Sequence, residues 1–461
     1  MVYGSSYESL LDGQREIERE KGLSEGSSTI MGISIEQRFP MELLQRIATE
    51  HNSSLRCLCV RGASLTDDDT AELTRTLSSL HLTAFRWDCG AESVDGADID
   101  FDPSWTSNLR HLSIAGTPLS DRAMGPLGRA LPSTLVSLSM AEDNLTDIPP
   151  FLVTMTSLRY LRISGTFHGS AVLDLPAVEE LSVSRSDIPD APLDLTACTR
   201  LRRLDLSCCR LSALPLGMDR LSNLEFLDLD GTTVLDTGQG KEELFTAVAA
   251  MHNMRELHLN AAVYGDGAFD APASLRSSLR VLATRHLPLR GRSSALQFEN
   301  LEELVIKRPI GVRRYLQPLR KLRKLEVAGD GAFLKDALGG MGALTHLTVA
   351  RKVFATGSEF RGLHALVDVT FGANCSIMLG AWESFMSNAT RLQSLNCVAY
   401  LGDWKEGQIK SFSRMPELRE LTWKSTTVPC YALDLTANTK MTSLCYDSKE
   451  SHHHPIGLEN V

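Results

Sequence analysis

The chain has 461 residues, a formal net charge of −10 and a hydrophobic fraction of 43%, enough to build a sizeable core. Its acidity (pI near 5.7) argues against general binding to nucleic acid or anionic membrane surfaces. The absence of any apolar run of about 18 residues argues against a membrane-spanning helix, and an aromatic content of only 6% points to an aliphatic core.

Residues 1–34 are polar and rich in Ser, Gly and Glu, without a basic stretch followed by an apolar one. They are expected to be a disordered tail with no Sec-type signal. Residues 35–54 begin "IEQRFPMELLQRIATEH" and predict a helical N-terminal cap. Pro40 suits a first helical turn, and Met41, Leu43, Leu44, Ile47 and Ala48 can share one face.

From Leu55 a frame L-x-x-L-x-L recurs 17 times, its last copy opening at Met441, at spacings of 20 to 30 residues. "LRRLDLSCCRL" (201–211) and "LEFLDLDGTTV" (224–234) are two successive copies. The last four residues of each hexapeptide alternate apolar and polar, as a strand with one buried face does. One rung buries about four aliphatic side chains, worth roughly 6–12 kcal/mol. Ordering its residues costs roughly 1–2 kcal/mol each, so a rung folds only when stacked on others.

The segments between hexapeptides vary. "LTDDDTAELTRTLSSL" (65–80), "LSDRAMGPLGRAL" (119–131) and "KEELFTAVAAMHN" (241–253) predict helices, with Asp67 and Asp121 placed to cap the first two. "LTDIPPFLVTMTSL" (145–158) and "LSALPLGMDRLSNL" (211–224) carry proline and predict shorter, more extended returns. Residues 261–278 read as a surface loop. Residues 447–461 read as a flexible tail that leaves the last rung without an evident cover.

Over residues 55–446 this pattern resembles the leucine-rich repeat superfamily. The long first rungs resemble ribonuclease-inhibitor-like solenoids, and the irregular repeats resemble those of bacterial effector proteins. The resemblance implies a curved α/β solenoid, a horseshoe with one parallel concave sheet and short helices, 3-10 turns or extended segments on the convex side. The superfamily sets asparagine at the ninth position of the repeat. Here that slot holds Thr117, Asp143, Thr166, Ser186, Cys209 and Thr232, with Asn374 as its one asparagine and Leu287 and Pro309 further on. An irregular coil is expected. "FPMELLQRI" resembles the opening of an F-box, but only about 20 residues separate Ile35 from Leu55, about half of what that motif needs.

The frame aims a defined set of side chains outward from the strands: Tyr160, Arg162, Glu180, Arg185, Arg203, Asp205, Phe226, Asp228, Asp230, Glu256 and His258. Exposed aromatics among arginines and carboxylates have the composition of protein-binding hot spots. The basic run "KRPIGVRRYLQPLRKLRKLEV" (307–327) crosses a turn and reads as a solvated surface. Cys57 and Cys59 lie on one strand with no zinc-spaced partner, and His452, His453 and His454 sit in the polar tail. "CYD" (445–447) resembles the Cys-x-Asp centre of bacterial leucine-rich repeat ubiquitin ligases without the surrounding domain. The chain shows no phosphate loop, G-x-S-x-G or H-E-x-x-H motif, so neither catalysis nor a cofactor or metal is expected.

The expected function is therefore a non-catalytic interaction scaffold that binds a protein on its concave face, not nucleic acid or membrane. A homodimer through the uncovered C-terminal end is a further expectation, as is a cytoplasmic site or secretion without a Sec signal. Two alternatives stand beside it: a secreted bacterial effector acting on a host protein, and a ubiquitin-ligase substrate receptor.

Overall fold

A computed structural model describes residues 2–3, 32–36, 41–51, 55–61, 67–88, 102–115, 121–168, 171–236, 238–259, 273–284, 298–307, 316, 319–330, 334, 338–354, 357–398, 400–401, 410–425 and 433–448. The chain divides into two compact units, residues 1–250 and 251–461. Each is an open parallel sheet backed by helices, 3-10 turns and extended returns, the α/β solenoid architecture of a leucine-rich repeat.

In the first unit the strands are β1 (Val2–Tyr3), β2 (Gly32–Glu36), β3 (Cys57–Arg61), β4 (Ala84–Asp88), β5 (His111–Ala115), β6 (Ser137–Leu145), β7 (Tyr160–Gly165), β8 (Glu180–Ser182), β9 (Asp187–Ile188), β10 (Arg203–Asp205), β11 (Arg210–Leu211) and β12 (Phe226–Asp228). Neighbours along the main sheet pair in parallel, and the fourth frame position stacks on itself from rung to rung. Leu58, Phe85, Leu112, Leu138, Leu161, Leu181, Leu204 and Leu227 lie side by side, all buried. Strands β9 and β11 pair separately.

The returns are α1 (Met41–His51), α2 (Asp67–Leu77), α3 (Pro103–Thr106), α4 (Asp121–Ala130), the 3-10 turns Pro150–Thr154 and Met218–Arg220, and α5 (Gly238–Ala250). Helices thus form where the three helical segments were expected, and tight turns where proline was. Helix α3 was not anticipated. Its cap Asp102 accepts a hydrogen bond from the Ser104 amide at 2.7 Å, which holds the carboxyl below its usual range.

The N-terminal boundaries differ from expectation. Residues 32–36 form a strand parallel to β3, where the sequence suggested the end of a tail and the start of a cap helix. The alternation of Ile33 and Ile35 carries that strand, and the helix begins only at Met41. Helix α1 buries Leu44 and Ala48 and packs on α2. Residues 4–31 lie outside the described residues.

The second unit holds β13 (Glu256–Leu259), β14 (Val281–Thr284), β15 (Glu303–Ile306), β16 (Lys324–Asp330), β17 (His346–Phe354), β18 (Asp368–Ile377), β19 (Ser394–Cys397), β20 (Tyr400–Leu401), β21 (Lys410–Ser411), β22 (Glu420–Ser425), β23 (Leu433–Asp434) and β24 (Ser443–Ser448), with α6 (Ala273–Ser278) and α7 (Leu379–Asn388) among its returns. The same register runs from Leu257 through Leu304 and Leu347 to Leu444. Helix α6, which buries Leu275, replaces the end of the expected loop at 261–278. Residues 447 and 448 belong to β24 rather than to a tail.

The aliphatic-core expectation needs correction here. Phe354, Phe360, Phe371, Trp382, Phe385, Phe412 and Trp423 touch in sequence through ring pairs with centroids 5.0 to 6.2 Å apart, mostly edge to face as ring quadrupoles favour.

Rungs are clasped by their backbones. The carbonyl at the second frame position accepts two amides from the next rung: Val136 O from Arg159 and Tyr160, Glu179 O from Arg202 and Arg203, Arg202 O from Glu225 and Phe226. The second unit repeats this at Arg280, Glu302, Arg323 and Gln393.

The ninth-position slot is only partly as read from the sequence. Ser186, Cys209 and Thr232 are buried there. The Cys209 thiol donates to the Val183 carbonyl at 3.0 Å, and Ser186 Oγ accepts from the Gly165 amide at 3.2 Å. Asn374, however, is exposed. One extra residue in β18 shifts the register against β17, as a β-bulge does, and turns Cys375 inward. Its thiol donates to Val349 O at 3.0 Å, the counterpart of the Cys209 bond. Thr166 is likewise exposed while Phe167 is buried. Thr117, the Asp143 side chain, Leu287 and Pro309 lie outside the described residues.

Candidate functional site

The strand face of the first unit can be laid out as a grid. Third-position residues form one row across the strands, Ser137, Tyr160, Glu180, Arg203 and Phe226. Fifth-position residues form the next, Ser139, Arg162, Ser182, Asp205 and Asp228. Neighbours in a row are about 4.8 Å apart. All of these side chains except that of Asp228 line a shallow cavity of about 320 Å³. The structure thus brings together Tyr160, Arg162, Glu180, Arg203, Asp205 and Phe226 of the expected set around one depression.

The chemistry of the depression is specific. The Arg203 guanidinium lies 4.0 Å from the centre of the Phe226 ring, a cation–π stack. Ser182 donates to Asp205 Oδ2 at 2.9 Å, and Asp205 Oδ1 accepts the Ser207 amide at 2.9 Å. Asp228 repeats this turn one rung on, accepting the Asp230 amide at 2.8 Å. Tyr160 is 39% exposed, a large ring on the outward side of a strand whose inward side buries Leu161 and Ile163.

Arg185 stands at the end of its strand segment in a left-handed conformation (φ 61°), followed one rung later by Cys208 (φ 58°) and then by Gly231 (φ 73°). The eighth position is therefore a column of left-handed residues. Only glycine adopts that conformation without cost. A Cβ on Gly231 would also stand 3.3 Å from the Cys208 sulfur.

Glu256 and His258 belong to the second unit, where they pair with each other, His258 Nε2 to Glu256 Oε1 at 2.9 Å. In the basic run, Lys324 contacts Glu303 at 3.4 Å and Lys321 donates to Asn300 at 2.7 Å. Arg308, Arg313 and Arg314 lie outside the described residues, as do His452, His453 and His454. Cys57 and Cys59 occupy the third and fifth frame positions of β3, Cys57 half-buried and Cys59 buried. Cys445 is exposed on β24. Among the described residues no group of three or more His, Cys, Asp or Glu is placed to hold a metal, and no helix is long and apolar enough to cross a membrane.

Sequence reasoning missed the second-position row. Arg159 meets Glu179 at 2.6 Å, and Arg202 Nε donates to Glu225 at 3.0 Å, which raises the Arg202 pKa. The spacing that selected the third and fifth positions selects this row as well. A groove of about 610 Å³ lies on the opposite side, beside Met124, Ile148, Pro149 and Phe151, with Val153, Val172 and Leu216 exposed in the same unit. The groove's wall also carries Arg129, Thr146, Asp147 and Thr154.

No family model matches the chain. It is 30% identical over 202 residues to a probable disease resistance protein of Arabidopsis thaliana, covering 42% of this chain and 18% of that protein. It is 33% identical over 113 residues to disease resistance protein RPP2A of the same plant, covering 23% and 8%. The chain thus spans less than a fifth of the curated relatives it matches. Similar solved structures include an internalin of Listeria monocytogenes (17% identity, TM-score 0.45, 89% of this chain and 95% of that one). An LRR protein of Leptospira interrogans is another (14%, TM-score 0.49, 82% and 86%). A third is the Toll–Spatzle complex of Drosophila (13%, TM-score 0.45, 87% and 58%). The architecture itself rests on the repeat period and the rung-on-rung register.

Proposed function

We propose, from the premise that the chain is a leucine-rich repeat protein, that it is a non-catalytic scaffold whose first unit captures a partner protein on its strand face. The observation that carries this is the depression around Tyr160, Arg203 and Phe226. An exposed ring and a ring stacked under a guanidinium sit there among charged and hydroxyl groups, the composition of an interface centre. The absence of chemistry is supported by how the polar groups are used. Asp205 and Asp228 hold backbone amides. Burial pushes the Cys198 thiol up to about 11 and the Cys209 thiol up to about 12, so neither is a thiolate nucleophile near neutral pH.

The test is crosslinking capture from the native organism, read by mass spectrometry, with the wild-type chain and the triple variant Tyr160→Ala, Arg203→Ala, Phe226→Ala. Truncating hot-spot residues costs about 2 kcal/mol or more each. The triple variant is therefore expected to lose its specific partner while its thermal unfolding stays nearly unchanged. Undiminished capture by the triple variant would overturn the assignment.

A further inference from the structure

We infer that the segment bound on this face is charge-ordered: a carboxylate at the Arg162 end, an apolar or aromatic residue in the middle, and a lysine or arginine at the Asp228 end. This rests on the reading above and adds the partner's chemistry to it.

The argument comes from the grid. In the fifth-position row the charge changes sign along the sheet, from Arg162 through Ser182 to Asp205 and Asp228, with Asp230 beyond Asp228 on the same rung. Arg162 is exposed, and among the described residues it makes no hydrogen bond or ion pair. Ser139 flanks it on the preceding strand, so an incoming carboxylate meets a guanidinium fork and a hydroxyl, the pairing that charge-assisted hydrogen bonds favour. In the third-position row Glu180 and Arg203 are adjacent and balance each other, so the centre is close to neutral and dominated by the Tyr160 and Phe226 rings. At the other end Asp205, Asp228 and Asp230 are half-buried, which strengthens their field toward a ligand cation. Two cations of the outward set stand near that end: Arg203, two residues before Asp205 on the same strand and stacked on the Phe226 ring, and Arg185, three residues past Ser182 and at the rim.

Arg162 and Asp228 are three strands apart, roughly 14 Å. An extended segment of about four or five residues spans that distance at about 3.3 Å per residue. The expected ligand therefore carries its acid and its base about four residues apart with an apolar residue between. Electrostatic complementarity of this kind sets orientation and rejects wrong partners more than it adds affinity.

The experiment selects random twelve-residue peptides displayed on phage against the full chain, then measures the winners in solution. Each winner is compared with a counterpart in which acid and base are exchanged, on wild type, on Arg162→Glu and on the Tyr160/Arg203/Phe226 triple alanine variant. Arg162→Gln replaces Arg162→Glu should the reversal impair folding. The expected result is at least about a tenfold preference of wild type for the parental order, lost in the Arg162 variants. Peptides that need Tyr160, Arg203 and Phe226 but bind equally well in both orders would sink the charge-order inference and leave the binding face standing. Peptides indifferent to the triple variant would remove both.

Discussion

The rungs from Val178 to Thr232 and those from Leu344 to Trp423 use the same frame and fill it differently. In the first region the returns are extended or 3-10, the strands are three residues long, and the buried residues are aliphatic, with Cys198, Cys209, Ser186 and Thr232 supplying small polar atoms. In the second the strands reach nine and ten residues, helix α7 backs the sheet, and linked rings fill the interior. An α-helix is roughly 10 Å across with its side chains and holds its axis further from the sheet than an extended return does. In the first region leucines fill the space under the extended and 3-10 returns, and around α7 rings fill the space between helix and sheet. In the helical first rungs both fillings occur: Phe85 packs on Trp105 of α3 with centroids 5.3 Å apart, whereas α2 and α4 bury Leu73, Leu77 and Leu127.

Deleting a ring gives the largest expected effect. Phe371→Ala should cost about 3–5 kcal/mol and Leu204→Ala about 2–5 kcal/mol. Urea unfolding followed by fluorescence reads both, with Trp382 and Trp423 reporting the second unit and Trp87 and Trp105 the first. Phe371→Leu costing less than 1 kcal/mol would break the contrast, since an aliphatic side chain would then fill the space between helix and sheet equally well.

A smaller effect sharpens what is special to the first region. Its eighth-position column is left-handed, so Gly231→Ala should cost about 1–2 kcal/mol and Cys208→Gly should gain about 1 kcal/mol. Shifts of opposite sign in chemical denaturation midpoint are the expected readout, and two shifts of the same sign would refute the strain argument.

The smallest effect at neutral pH concerns the buried thiols. Cys198 and Cys209 titrate above the ordinary thiol value of 9.0 because burial disfavours the thiolate. A raised folded pKa contributes stability that is complete below pH 9 and is lost as pH rises through about 11 to 12. Alkylation read by mass spectrometry should label exposed Cys208 and Cys445 on the native chain at pH 7. Cys198 and Cys209 should stay unlabelled until denaturant is added, and their prompt labelling on the native chain would contradict the packing.

Much of this was legible from the sequence because the frame is a covalent pattern. The positions of Leu161, Leu204 and Leu347 fix the strands, and the alternation around them places Tyr160, Arg203 and Phe226 outward. Three things were hidden for physical reasons. A single inserted residue in β18 exchanges Asn374 for Cys375, because one step along a strand reverses the face. The aromatic core was masked by a low overall ring content, which says nothing about clustering. The Arg203–Phe226 stack depends on side-chain rotamers that spacing does not encode.

The clasp at the second frame position joins rung to rung through amides and carbonyls, reinforced by the second-position hydroxyls of Thr83, Thr345 and Thr442, and the third- and fifth-position side chains of the binding face are not needed for it. The lettering on the strand face can therefore change residue by residue while the spine beneath keeps its hold. A lineage carrying such a chain can abandon one ligand and acquire another without passing through an unfolded ancestor.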